Sequence, residues 1–171
     1  MRVIKLAILS FISLFLLVTI ISLFIPGNIR ISKAINFATD DTSYFNNIFN
    51  LATWRKWHPA LKDIPETEFK MLSHNMVIVY GTKITLEDRT DDEVFVNVTN
   101  DKKKSVWNGF KFIKHIQGDS STLQWYTDFK LPWYPWEKFK SLFFENIYGV
   151  QMEQGLANLK ELSEGRRSSI N

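Results

Sequence analysis

Cysteine is missing altogether, histidine occurs three times, and glycine and proline are scarce, at seven and five among 171 residues. Without thiols the chain has no disulfide, no thiolate nucleophile and no sulfur-ligated zinc site, and its composition suits either redox compartment. No two glycines stand at GxGxxG or GxxxxGK spacing, so a phosphate-cradling loop is not expected. A GxSxG nucleophile elbow is also missing. His58, His74 and His115 lie far apart with no second ligand at i+4, so neither a metal site nor a cofactor is expected. His58 reads as a surface or helix-end histidine, and His74 as part of a turn.

Charge of one sign is lacking too. The formal +3 falls to +1 once Arg2 and Lys5 are set aside, since 19 Lys and Arg then face 18 Asp and Glu. Such a balance is no nucleic-acid footprint. The run Lys102-Lys103-Lys104 follows Asp101 and reads first as a solvated hairpin turn, with a phosphate or headgroup contact as the sharper alternative.

What the chain does have is apolar and aromatic surface. Residues 6–25, LAILSFISLFLLVTIISLFI, carry no charge. About 20 such residues at a rise of about 1.5 Å each span a hydrocarbon core of about 30 Å. A cleavable signal peptide has a shorter apolar region and a small-residue cleavage site. Here the run ends in Phe24-Ile25-Pro26, and Ser32-Lys33-Ala34 falls inside an alternating segment, which favours an uncleaved single-pass anchor. Arg2 and Lys5 oppose Arg30 and Lys33 across it, and the short basic amino terminus tips the balance to N-terminus cytoplasmic, domain extracytoplasmic.

Pro26-Gly27-Asn28 ends the anchor and leaves a spacer too short to carry a domain away from the headgroups. Ile29, Ile31, Ile35 and Phe37 then alternate as a half-buried strand. Thr39, Asp40 and Asp41 offer helix caps, and Tyr44, Phe45, Ile48, Phe49 and Leu51 recur at helical spacing. Strands are predicted over 67–72, 76–80, 83–88, 94–99, 105–117 and 122–130, divided by polar turns such as Ser73-His74-Asn75 and Asn100-Asp101. Val94, Val96 and Val98 share one face of their strand; Leu123, Trp125, Thr127 and Phe129 share one of theirs. By that parity Asp128, a candidate acid or base, points to solvent. From Trp136 to about Ser163 a single long helix is expected, with Phe139, Phe143, Ile147, Val150, Met152, Leu156, Leu159 and Leu162 along its apolar face. Gly149 and Gly155 within it suggest a close approach to the sheet or a bend.

The order strand, short helices, antiparallel meander, long terminal helix is that of an α+β helix-grip domain, a curved antiparallel sheet wrapped on a C-terminal helix. Three segments are assigned: 1–27 as anchor and spacer, 28–163 as the domain, and 164–171 as a disordered tail. Two stretches carry a resemblance to the SRPBCC superfamily, also called START-like or polyketide cyclase-like. Leu51-x-x-Trp54-x-x-Trp57-x-Pro59 resembles its tryptophan-containing turn. Tyr148-Gly149 through Met152-Glu153-x-Gly155-Leu156-x-x-Leu159-Lys160 is similar to the terminal helix of its membrane-anchored bacterial branch. The resemblance covers most of 29–163 and implies an apolar cavity between sheet and helix. The strands hold only Gly81 and Gly109, fewer glycines than that pattern usually has, which leaves open whether bulky side chains fill the cavity.

The lining expected from these considerations is Trp57, Phe69, Tyr80, Trp107, Trp125, Phe143, Ile147 and Met152. Trp133, Tyr134 and Trp136 flank two prolines and suit either packing or a bilayer interface. The resulting functional expectation is membrane-tethered binding of a hydrophobic small molecule or lipid, with no catalytic residue assigned. The alternatives are a polyketide cyclase or hydratase-like enzyme using Tyr80 or Asp128, and a filled scaffold that contacts another protein.

Overall fold

The computed structural model describes residues 2–38, 45–90, 92–102, 104–115 and 120–168. The helix α1, Arg2–Leu23, is long and apolar enough to cross a membrane. Its two late hydroxyls are satisfied inside the helix: Thr19 Oγ1 donates to Phe15 O at 2.8 Å and Ser22 Oγ to Thr19 O at 2.7 Å. Hydroxyls in a helix commonly bond back to the preceding turn in this way.

Strand β1 (Asn28–Phe37) follows at once, and then the short helices α2 (Phe45–Phe49) and α3 (Trp54–Trp57), joined by a 3₁₀ turn at Leu51–Thr53. The cap candidates 39–41 lie outside the described residues. Asn50 caps the 3₁₀ turn by accepting from Ala52 N. The extended backbone of His58, required by Pro59, stops α3.

Six strands follow as a meander: β2 (Phe69–Ser73), β3 (Met76–Val79), β4 (Thr82–Arg89), β5 (Glu93–Thr99), β6 (Ser105–Lys114) and β7 (Ser121–Lys130). The single antiparallel sheet has the order β1-β7-β6-β5-β4-β3-β2, so the first strand returns to pair with the last. His74 sits in the β2–β3 turn, as its setting suggested.

The parity read from the sequence holds. Val94, Val96, Leu123, Trp125, Thr127 and Phe129 are buried on the inner face. Asp128 faces outward and takes both ends of a bidentate pair from Arg30, at 2.7 Å each. Over the inner face lies α5, Val150–Ser168, with Met152, Leu156 and Leu159 buried against the sheet and α3. It is the helix-grip arrangement. The helix continues through 164–168, where the sequence suggested a tail.

One helix from Trp136 onward is not what forms. Instead α4, Pro135–Ser141, ends at a turn over Leu142 and Phe143, and a π-helical turn, Glu145–Gly149, leads into α5. A π turn holds an extra residue, so it rotates the side chains around the axis. The face 139/143/147/150 therefore does not stay inside. Phe143, Ile147 and Val150 are 61%, 48% and 59% exposed, while Phe144 and Met152 are buried.

Gly155 is where the helix comes closest to the sheet side. A Cβ there would stand 2.8 Å from Trp125 Cζ3 and 3.1 Å from Pro59 Cδ. Ala gains about 1 kcal/mol over Gly in a helix, but forcing a methyl into a packed contact costs about 1–3 kcal/mol. Gly155→Ala is expected to lower unfolding stability by about 1 kcal/mol net in urea titration of the full chain.

Candidate apolar cavity

Between the sheet, the short helices and α5 lies a cavity of about 440 Å³. One wall is aromatic and comes from residues distant in sequence: Trp54 and His58 from the α3 region, Phe110 from β6 and Trp125 from β7. The His58 ring stacks on Trp54 at 5.5 Å between centroids, with 7° between planes, and tilts against Trp125 at 5.2 Å. Phe110 and Trp125 lie 5.0 Å apart. Val79, Ile84, Val98 and Val106 supply the sheet floor, and Leu61, Ile64, Tyr148 and Met152 the remaining sides.

The indoles are fixed by their N–H groups. Trp54 Nε1 donates to Ile48 O at 2.9 Å, and Trp125 Nε1 to Asn108 Oδ1 at 3.2 Å. Thr127 Oγ1 donates to the same Asn108 oxygen at 2.6 Å. With two donors on its half-buried amide oxygen, Asn108 fixes Trp125 and Thr127 in this wall. His58 is a helix-end histidine, the C-cap of α3, half-buried against the cavity wall rather than on the open surface. Its Nδ1 is sealed from solvent with no hydrogen-bond partner, and burial pushes its pKa down to about 4, so the ring is neutral at pH 7.

Of the eight expected lining residues, the structure gathers Tyr80, Trp125 and Met152 around the cavity. Trp57 is fully buried behind the wall, packed edge-on at 6.0 Å to both Phe110 and Trp125, and its indole donates to Asn47 O. Phe69 sits at the start of the edge strand β2 with the Arg55 guanidinium 5.6 Å from its ring centroid. Trp107 faces outward and is 46% exposed, because it shares the outer face of β6 with Gly109 and Lys111. Phe143 and Ile147 are turned outward by the helix break and the π turn. Sequence reasoning missed Trp54, His58, Asn108, Phe110, Thr127, Phe129 and Tyr148. The parity of Trp125 could have found Thr127 and Phe129, and that of Val98 and its cross-strand partner Val106 could have found Asn108 and Phe110.

Tyr80 and Gly81 form the two-residue β3–β4 turn with φ of 46° and 77°. Positive φ at both positions suits a right-twisted hairpin, but costs a tyrosine about 1–2 kcal/mol. That strained residue stands at the cavity mouth with its ring largely in solvent. Strain of this kind is a pointer to function.

A second compartment, of about 580 Å³, adjoins the first and shares Val98, Val106, Phe129 and Tyr148 with it. Its other lining residues include Leu131, Pro132 and Phe144, together with Lys104, Lys130, Lys140 and Glu137. It occupies the anchor end of the domain: Asn28 pairs with Lys130, Leu131 N donates to Gly27 O at 2.7 Å, and Lys138 Nζ from α4 reaches Ile25 O.

No family model and no curated protein matches the sequence. Solved structures do match in shape. A START superfamily protein from Mycobacterium smegmatis superposes with a TM-score of 0.52 at 16% identity, covering 83% of this chain and 99% of that one. A truncated norcoclaurine synthase from Thalictrum flavum gives 0.56 at 10% identity over 80% and 93%. CalU16 from Micromonospora echinospora gives 0.54 at 12% identity over 80% and 74%. At these identities the likeness establishes the fold, which is START-like.

Proposed function

We propose that this chain holds a hydrophobic small molecule or lipid in its helix-grip cavity, beside a bilayer in which α1 is a single-pass anchor, and that it does not transform what it binds. The observation that carries the reading is the open volume of about 440 Å³ walled mainly by apolar side chains. Ligand sites are concave, mostly apolar and of this size, with a few polar groups for orientation. A filled scaffold would have closed this space with side chains. The enzyme alternative loses Asp128, whose carboxylate is paired with Arg30 on the outer face.

The tethered part of the reading is supported by the length and apolar composition of α1 and by the surface beside it. Trp133, Trp136, Leu142 and Phe143 are exposed on and around α4, the helix that packs against α1. Aromatic side chains of that kind favour the headgroup level. A cavity held there meets membrane-derived ligands at high effective concentration. The basic amino terminus supports a cytoplasmic N-terminus with the domain on the other side.

The test is photolabelling of the full chain in phosphatidylcholine vesicles with a long-chain alcohol bearing a diazirine near its end. Labelled peptides within 54–61 and 148–152, competed away by unlabelled alcohol, are expected. Label confined to α1 would contradict the reading.

A further inference from the structure

We infer that the ligand is an anionic amphiphile, its chain in the inner cavity and its carboxylate or phosphate head in the outer compartment among Lys104, Lys130 and Lys140. This deepens the proposed binding function and rests on it. The two compartments differ in chemistry although they share a boundary of four residues. The inner one has no Lys, Arg, Asp or Glu in its lining, whereas the outer one has three lysines and one acid, Glu137. Among the described residues none pairs with any of these lysines. Three unpaired ammonium groups around one concave space favour an anion there, by charge-assisted hydrogen bonds stronger than neutral ones.

Lys104 is delivered by the β5–β6 turn, which is locked by Asn100: Lys104 N donates to Asn100 Oδ1 at 3.0 Å, and Asn100 N to Lys104 O at 3.1 Å. Lys130 ends β7, and Lys140 comes from α4. Three separate elements thus converge on the compartment at the anchor end of the domain. A head bound there stays near the level of the bilayer surface. Its chain passes the boundary formed by Val98, Val106, Phe129 and Tyr148. Tyr148 belongs to the π turn and packs at 4.7 Å on Phe129, so a rotation of that one ring would widen the passage.

Three probes with the same diazirine chain, ending in a carboxylate, a phosphate monoester or a hydroxyl, test this in phosphatidylcholine vesicles holding the full chain. Label on peptides 54–61 and 148–152 is normalised to label on α1, which corrects for bilayer partition. One or both anionic probes are expected to give about tenfold more cavity label than the hydroxyl probe, equivalent to ~1.4 kcal/mol. Which of the two does so identifies the head as carboxylate or phosphate. In the K104Q/K130Q/K140Q variant the preference should vanish while hydroxyl-probe labelling stays unchanged, which also reports that the variant is folded. Equal labelling by all three probes in the unaltered chain would overturn the anionic class and leave the apolar cavity standing. A preference that survives in the variant would overturn the role of these lysines. No cavity label from any probe would overturn the binding reading and this inference with it.

Discussion

Replacing Val98 and Val106 together by Phe is expected to abolish cavity labelling by the long-chain alcohol, at least about tenfold or ~1.4 kcal/mol, while leaving label on α1 unchanged. The two valines face each other across β5 and β6 and border both compartments. Each is only half-buried, because open space lies against it. Two rings built from these positions fill part of that space and close the passage between the compartments. A ring entering a void meets few clashes and buries apolar surface, so unfolding stability should change by no more than about 1 kcal/mol. The variant separates ligand space from core packing. Wild-type labelling with these rings filling the space would mean that the label on those peptides does not come from a probe held there, and the cavity would lose its role.

Acidification from pH 6.5 to 4 is expected to cost the domain stability on the order of 2–3 kcal/mol through His58 alone. An unfolded histidine titrates near 6.5, whereas burial holds the His58 pKa at about 4 in the folded chain. Between those values the unfolded state takes up a proton that the folded state refuses. Stability therefore rises with pH through this window, is complete above 6.5, and loses nothing further to this group below 4. The check is urea unfolding of the full chain at pH 7 and pH 4.5, compared with His58→Phe. The substitution should remove most of the difference between the two pH values, and an unchanged pH dependence would show that His58 is protonated in the fold.

Much of this architecture was legible in the chain itself. Strand parity put Leu123, Trp125, Thr127 and Phe129 inside and Asp128 outside because a sheet has a period of two whatever covers it. Met152 and Gly155 were readable for a related reason, since a helix on a sheet needs an apolar stripe and, at its closest point, a small residue. What escaped was set by contacts between distant segments. His58 lies in an aperiodic turn, and only the return of Trp125 against it makes it part of a cavity wall. Phe143 and Ile147 followed a regular helical period, which the π turn at Glu145–Gly149 interrupts. Gly149, read as a bend or a close approach, ends that turn, but one glycine does not announce the extra residue that rotates the face. Trp107 is different: Lys111 on the same face of β6 was a sufficient sign that this face meets solvent.

The cavity and the basic compartment beside it make one physical claim, that this fold keeps room for a guest. Native mass spectrometry of the full chain released from nanodiscs assembled with the host's own lipids, followed by solvent extraction of the released complex, tests it most directly. The account expects a discrete added mass that survives loss of the surrounding bilayer and resolves on extraction to one class of acyl-chain anion. A bare chain mass, from a preparation whose His58 and Trp125 signals report an intact fold, would contradict it.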